Sequence, residues 1–229
     1  MENGLLARSH EIGDLGNGGT YLDPFMVIFP EYSAAAAMVL LGMLMLRRKF
    51  GLAGFGVAFF ALSCGSAVVL KSVLPRPVFD RELLSNVHNS APSGHVTAIT
   101  AVALLALVAV PDKYRWPTAG AGAVAASLTA YGVQYAAWHR PSDVVTGVAL
   151  SLFWFFLLTA FRAREERESA PERGLVWKSI AVAALAAAAI CWATQMRTCP
   201  GWLVAAGSLF PSLAIMASSL YLSRRPVSP

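Results

Sequence analysis

Long apolar runs separated by short polar breaks make up most of this chain, and the polar breaks hold nearly all of its reactive side chains. A helix needs about 20 mostly apolar residues to cross a bilayer. The first run extends from about Phe25 to Leu46, carries Pro30 and Glu31 near its start, and is closed by Arg47-Arg48-Lys49. The next runs cover about Leu52 to Leu70, then the stretch from His95 to the turn Pro111-Asp112-Lys113-Tyr114-Arg115, then the Ala- and Gly-rich stretch from Pro117 to Trp138. Val144 to Phe161, about Ser179 to Ala193, and Trp202 to Leu222 complete the set. The pattern predicts an all-α polytopic transmembrane helical bundle of six or seven spans, with no internal repeat.

The breaks divide the chain further. Residues 1–23 are mixed and glycine-rich, without the basic start and compact apolar core of a cleavable signal peptide, and are expected to form an extracytoplasmic N-terminal arm. Residues 24–163 form the core, 164–178 a strongly charged cytoplasmic loop, and 179–229 two additional spans with a short tail. Lys71 to Ala91, with Arg76, Asp80, Arg81, Glu82 and His88, is too polar to face lipid.

Composition agrees with a membrane protein. Of 229 residues 56% are hydrophobic and 14% charged, against roughly a quarter charged in a soluble domain. Cys64, Cys191 and Cys199 show no C-x-x-C spacing, so neither a zinc site nor a disulfide framework is expected. Twelve of the eighteen lysines and arginines fall on the face that holds Arg47-Arg48-Lys49, and the positive-inside rule makes that face cytoplasmic. The N-terminus is then outside and the C-terminus inside, and the breaks that carry His95 and His139 share the outer face, although 44 residues separate the two histidines.

The shared face suggests one site. Pro92-Ser93-Gly94-His95 opens a helix whose N-terminal N–H groups and positive dipole end favour an anion such as phosphate. His139 and Asp143, spaced i, i+4, place a carboxylate beside an imidazole, as in a nucleophile held by an orienting group; the bland alternative is a helix-capping pair. His95 would be the general acid and base, and Lys71, Arg76, Ser93 and Gly94 the phosphate holders. Neither a metal nor a cofactor is called for by this set. Glu31, near the same face, is a further candidate to line the site.

Lys71…Arg76-Pro77, Pro92-Ser93-Gly94-His95 and His139-x3-Asp143 together resemble the three-motif signature of the type 2 phosphatidic acid phosphatase and haloperoxidase superfamily, over about Val69 to Leu152. The resemblance implies a helical phosphatase core from about the second to the fifth span and hydrolysis through a phosphohistidine on His139. By the same resemblance His95 acts as acid, Asp143 orients, and Lys71, Arg76, Ser93 and Gly94 bind phosphate. Two departures stand out. Val78 occupies the place of a second motif-one arginine, and Gly132-Val133 that of the Ser-Arg pair which opens the third motif.

Two functions of different classes follow. One is an integral-membrane lipid phosphatase acting at the outer leaflet on an isoprenyl phosphate or diphosphate, or on a glycerophospholipid-type phosphate. The other is a phosphatase-like protein with weak or lost hydrolysis that binds, transports or scaffolds lipid phosphates. A haloperoxidase would depend still more on the arginines absent at positions 78 and 133. Expected partners are the lipid phosphate and membrane lipids, with no nucleic acid. The last two spans could cover the lipid entrance, mediate homo-oligomer formation or complete the bundle.

Overall fold

A computed structural model describes residues 23–74, 91–135, 139–165 and 201–223. Among these residues all regular structure is helical: α1 (Asp23–Leu46), α2 (Phe50–Val73), α3 (Gly94–Ala109), a single 3-10 turn (Asp112–Tyr114), α4 (Arg115–Tyr135), α5 (Pro141–Glu165) and α6 (Gly201–Ser223). The helix ends follow the polar breaks. Lys49 precedes α2, Ser93 precedes α3, and Pro111 with Asp112 separates α3 from α4. The expected sixth span near 179–193 and the charged loop lie outside the described residues.

Two helices are long and apolar enough to cross a membrane, Phe50–Val73 and Pro141–Arg162. Apolar stretches of α1 (Tyr32–Leu46) and α6 (Gly207–Ser223), and the whole of α3, are shorter. At 1.5 Å rise per residue the 16 residues of α3 reach about 24 Å, less than the hydrocarbon thickness of a bilayer. Its environment explains how a short helix is kept there. α3 packs against all five other helices, and Val96, Ala101, Leu104, Leu105 and Leu107 have no exposed surface. Because it is surrounded by protein, its side chains are apolar all round rather than on one face.

Small residues and a few hydroxyls set the other contacts. A Cβ on Gly122 would lie 2.8 Å from the Cβ of Ala103, so glycine is what lets α4 approach α3. The most extensive pairing is between α4 and α6. Ser127 and Ser212 share a hydroxyl hydrogen bond of 2.6 Å, and Gln134 Nε2 donates to Ser208 Oγ at 2.9 Å. At the far end the buried Arg115 donates to the Leu222 carbonyl at 2.9 Å and pairs with Asp112 at 2.8 Å, placing a cation at the C-terminal end of α6. In an apolar surrounding such interhelical hydrogen bonds hold the register that apolar packing alone leaves loose.

Gly122→Val should force α3 and α4 apart and destabilise the fold by about 1–3 kcal/mol, read as a lower thermal midpoint of the detergent-solubilised protein. An unchanged midpoint would show that this crossing is slack.

Candidate functional site

Antiparallel neighbours bring the C-terminal turn of α2, the N-terminus of α3 and the N-terminus of α5 to one end of the bundle. Lys71 comes from the first, Ser93, Gly94 and His95 from the second, and Asp143 from the third, with His139 just ahead of it. Of the seven residues proposed from the sequence, six meet here. The seventh, Arg76, lies outside the described residues, as does Val78. Glu31 lies in α1, and its side chain is outside the described set.

Asp143 does two jobs. It is fully buried at the third position of α5, after Pro141 at the first, and its Oδ2 accepts a 3.0 Å hydrogen bond from the Arg140 amide. That contact is the carboxylate half of a capping box, and Pro141 supplies a preset first turn. The same Oδ2 stands 3.5 Å from Nδ1 of His139, within reach for ion pairing but too long for a hydrogen bond. His139 is 8% exposed, and its Nδ1 has no hydrogen-bond partner among the described residues. The carboxylate thus caps the helix start through the Arg140 amide and stands beside the imidazole without a hydrogen bond to it. A 3.0 Å bond from the His139 amide to the Val133 carbonyl closes the turn that presents the ring.

Across the site the His95 and His139 rings are 6.4 Å apart between centroids, inclined at 64°. Lys71 Nζ stands 3.7 Å from where a Cβ on Gly94 would be, so the ammonium lies over the first residue of α3. It also feels the attraction of the Asp143 carboxylate. Ser93 is fully buried, and its Oγ has no hydrogen-bond partner among the described residues. It does not cap α3. A buried hydroxyl left unpaired is costly. It sits at a positive helix end, beside an ammonium and two imidazoles, where an anion would be held.

Several supporting residues escaped the sequence reading. The Ser93 amide donates to the Asp143 carbonyl at 2.8 Å, tying the two motifs together through their backbones. The Ser93 carbonyl accepts from the Thr97 hydroxyl at 2.8 Å. A Cβ on Gly147 would lie 2.9 Å from that carbonyl, so only glycine allows α5 this close. Ser151, one turn on, donates to the Thr97 carbonyl at 3.0 Å. The Gly147-x3-Ser151 spacing is a small-residue signature for close helix contact and was the available signal. Of the departures from the three-motif signature at positions 132 and 133, Gly132 is buried and Val133 belongs to the apolar core. Gln134 turns to Ser208 on α6. Among the described residues no group of three His, Cys, Asp or Glu could hold a metal ion.

Residues 57–167 match the family model of the PAP2 superfamily. That stretch of the chain belongs to the PAP2 superfamily. The PAP2 stretch contains most of α2 and all of α3, α4 and α5, and with them the six convergent residues. No curated protein and no solved structure matches the chain. α1 and α6 lie outside the PAP2 stretch, yet α6 reaches the site's edge, since a Cβ on Gly207 would meet Pro141 at 3.3 Å.

Asp143→Ala removes both the cap acceptor and the charge, whereas Asp143→Asn keeps an acceptor oxygen. The alanine variant should unfold with about 1 kcal/mol less stability than the asparagine variant. Equal thermal midpoints for the two would show that the Arg140 contact does not hold the helix start.

Proposed function

We propose that this chain is an integral-membrane lipid phosphatase that hydrolyses a lipid phosphomonoester or diphosphate at the extracytoplasmic face through a phosphohistidine intermediate. Membership of the PAP2 superfamily supports a phosphoester hydrolase in general. The observation that carries the finer reading is the pair of imidazoles 6.4 Å apart between centroids, flanking a helix N-terminus with an unpaired buried hydroxyl and a nearby ammonium.

In this reading the lipid's phosphoryl group rests on the N-terminus of α3, with Lys71, Ser93, Gly94 and Arg76 as its holders. Because Nδ1 of His139 faces Asp143, Nε2 is the atom left to attack phosphorus. The N–P bond forms as the P–O bond to the lipid alcohol, or to the lipid monophosphate of a diphosphate substrate, breaks, and His95 gives its proton to the departing oxygen. Water then loses a proton to His95 and attacks phosphorus, the N–P bond breaks, and inorganic phosphate leaves. Asp143 stabilises the cationic ring in between, and the helix N-terminus and Lys71 stabilise the charge on the transferring group.

A membrane substrate is favoured because α2 and α5, which carry Lys71 and Asp143 at the site, are the two helices of membrane-crossing length. We read the complete chain as six or seven spans with the site outside and the C-terminus inside. Green fluorescent protein fused after Pro229 should then fluoresce, as it does in the cytoplasm. A dark fusion, with active alkaline phosphatase at the same place, would reverse the orientation.

One observation favours the second reading, a lipid-phosphate binding protein with weak or lost hydrolysis. Val133 is a core residue, so the third motif supplies no guanidinium from that position. Phosphate release from a panel of lipid phosphates and diphosphates, with EDTA present, separates the two. The phosphatase reading expects release by the wild type and a loss of about a thousandfold or more in His139→Ala. A folded protein that binds these lipids and releases nothing would establish the binding reading.

A further inference from the structure

An apolar groove lies beside the site between α2 and α5, with a volume of about 300 Å³. It begins at residues that adjoin the phosphate holders in sequence: Leu70 precedes Lys71, Pro92 precedes Ser93, and Thr146 lies one turn after Asp143. From there it passes Ala149 to Phe156, which is nearly buried, with Phe153 exposed at the rim. Among the described residues Thr146 contributes the groove's only side-chain hydroxyl, and that group is satisfied by the Ser142 carbonyl at 2.8 Å and the Asp143 carbonyl at 3.1 Å. Its described lining offers a ligand no free hydrogen-bonding side chain, which suits a hydrocarbon.

We propose that this groove holds one hydrocarbon chain of the substrate, making the enzyme selective for single-chain lipid phosphates, of isoprenyl or alkyl type, over diacyl ones. The turnover part of this proposal rests on the phosphatase reading of the site above. The volume accommodates roughly ten groups as large as a water molecule, and a methylene is of similar size, so one chain fills the groove from headgroup depth. In a diacyl phosphate two chains diverge within a few bonds of phosphorus, so one of them must leave the groove as soon as the phosphoryl group is seated. Chains already in lipid gain little from leaving water a second time, so the groove acts by close packing that aims the phosphoryl group at His139. Selectivity should therefore appear in turnover as well as in affinity.

The test compares dodecyl phosphate, dioleoyl phosphatidate and soluble butyl phosphate with wild type and Ala149→Phe, which narrows the groove without touching any residue of the catalytic or phosphate-holding set. The two lipids are presented at equal mole fraction in the same mixed micelles. Wild type should hydrolyse dodecyl phosphate with kcat/KM at least about tenfold above phosphatidate, and Ala149→Phe should lose about tenfold on dodecyl phosphate while keeping its butyl phosphate rate. Equal rates on the two lipids, or equal losses on the long and short substrates, would overturn the proposal. A second readout does not need turnover. An alkyl phosphate with a photoreactive diazirine on its chain should label peptides of the groove around Phe153. Unlabelled dodecyl phosphate should suppress this labelling and phosphatidate should not. Labelling elsewhere, labelling suppressed equally by both lipids, or labelling unaltered in Ala149→Phe would refute the groove as the chain's place. Groove labelling without any hydrolysis would support the groove while overturning the phosphatase reading alone.

Discussion

The hydrogen bond from the Ser93 amide to the Asp143 carbonyl, 2.8 Å long, is the contact on which the site depends. It joins the starts of two helices that are separated in sequence by all of α3 and α4, and it can form only because Gly147 leaves room for the Ser93 carbonyl. Backbone contacts of this kind tolerate little displacement, since a longer or bent hydrogen bond weakens steeply. With the two helix starts fixed to each other, His95 and His139 are fixed too, one on each side of an anion-favouring helix end. The spacing of the two imidazoles thus follows from how the starts of α3 and α5 are joined.

The surrounding bundle keeps that contact in place. α3 is too short to cross a bilayer by the usual measure and is instead enclosed by all the other described helices. An enclosed helix cannot slide toward either surface without exposing its apolar sides to one neighbour and crowding another. On its flank, α4 and α6 are clamped from Gln134–Ser208 near the site to Arg115–Leu222 at the opposite end. α6 lies beyond the PAP2 stretch and packs against it, and Gly207 brings that helix against the Pro141 turn.

Much of this was legible in the sequence, for identifiable reasons. Polar and turn-forming residues interrupt apolar helices, so Lys49, Ser93 and Pro111 marked helix limits in the sequence as they do in the structure, whereas α5 begins at Pro141, ahead of the expected Val144. Four of the six convergent residues, Lys71, His95, His139 and Asp143, were legible because imidazole, ammonium and carboxylate groups are rare in such a chain and cluster in two breaks, and Ser93 and Gly94 because they open the helix that His95 begins. Pairwise packing was not legible. That Val133 faces the core, that Gln134 turns to Ser208, and that Gly147 admits the Ser93 carbonyl all depend on which neighbour each helix face meets. His139-x3-Asp143 shows a different limit. A capping pair and an orienting pair have one spacing, and in the structure the oxygen that accepts the Arg140 amide is also the one 3.5 Å from Nδ1 of His139.

The central claim is that His139 takes the phosphoryl group from the substrate. The most direct measurement follows a rapidly quenched reaction of His95→Ala protein with an aryl phosphate, whose leaving group departs without protonation, into alkaline solution that preserves phosphohistidine. Mass spectrometry of the peptide spanning the Pro141 turn should find one phosphoryl group, carried on His139. Phosphoryl transfer to a different residue, or steady release of phosphate by wild type with no phosphorylated protein at any time, would contradict the account.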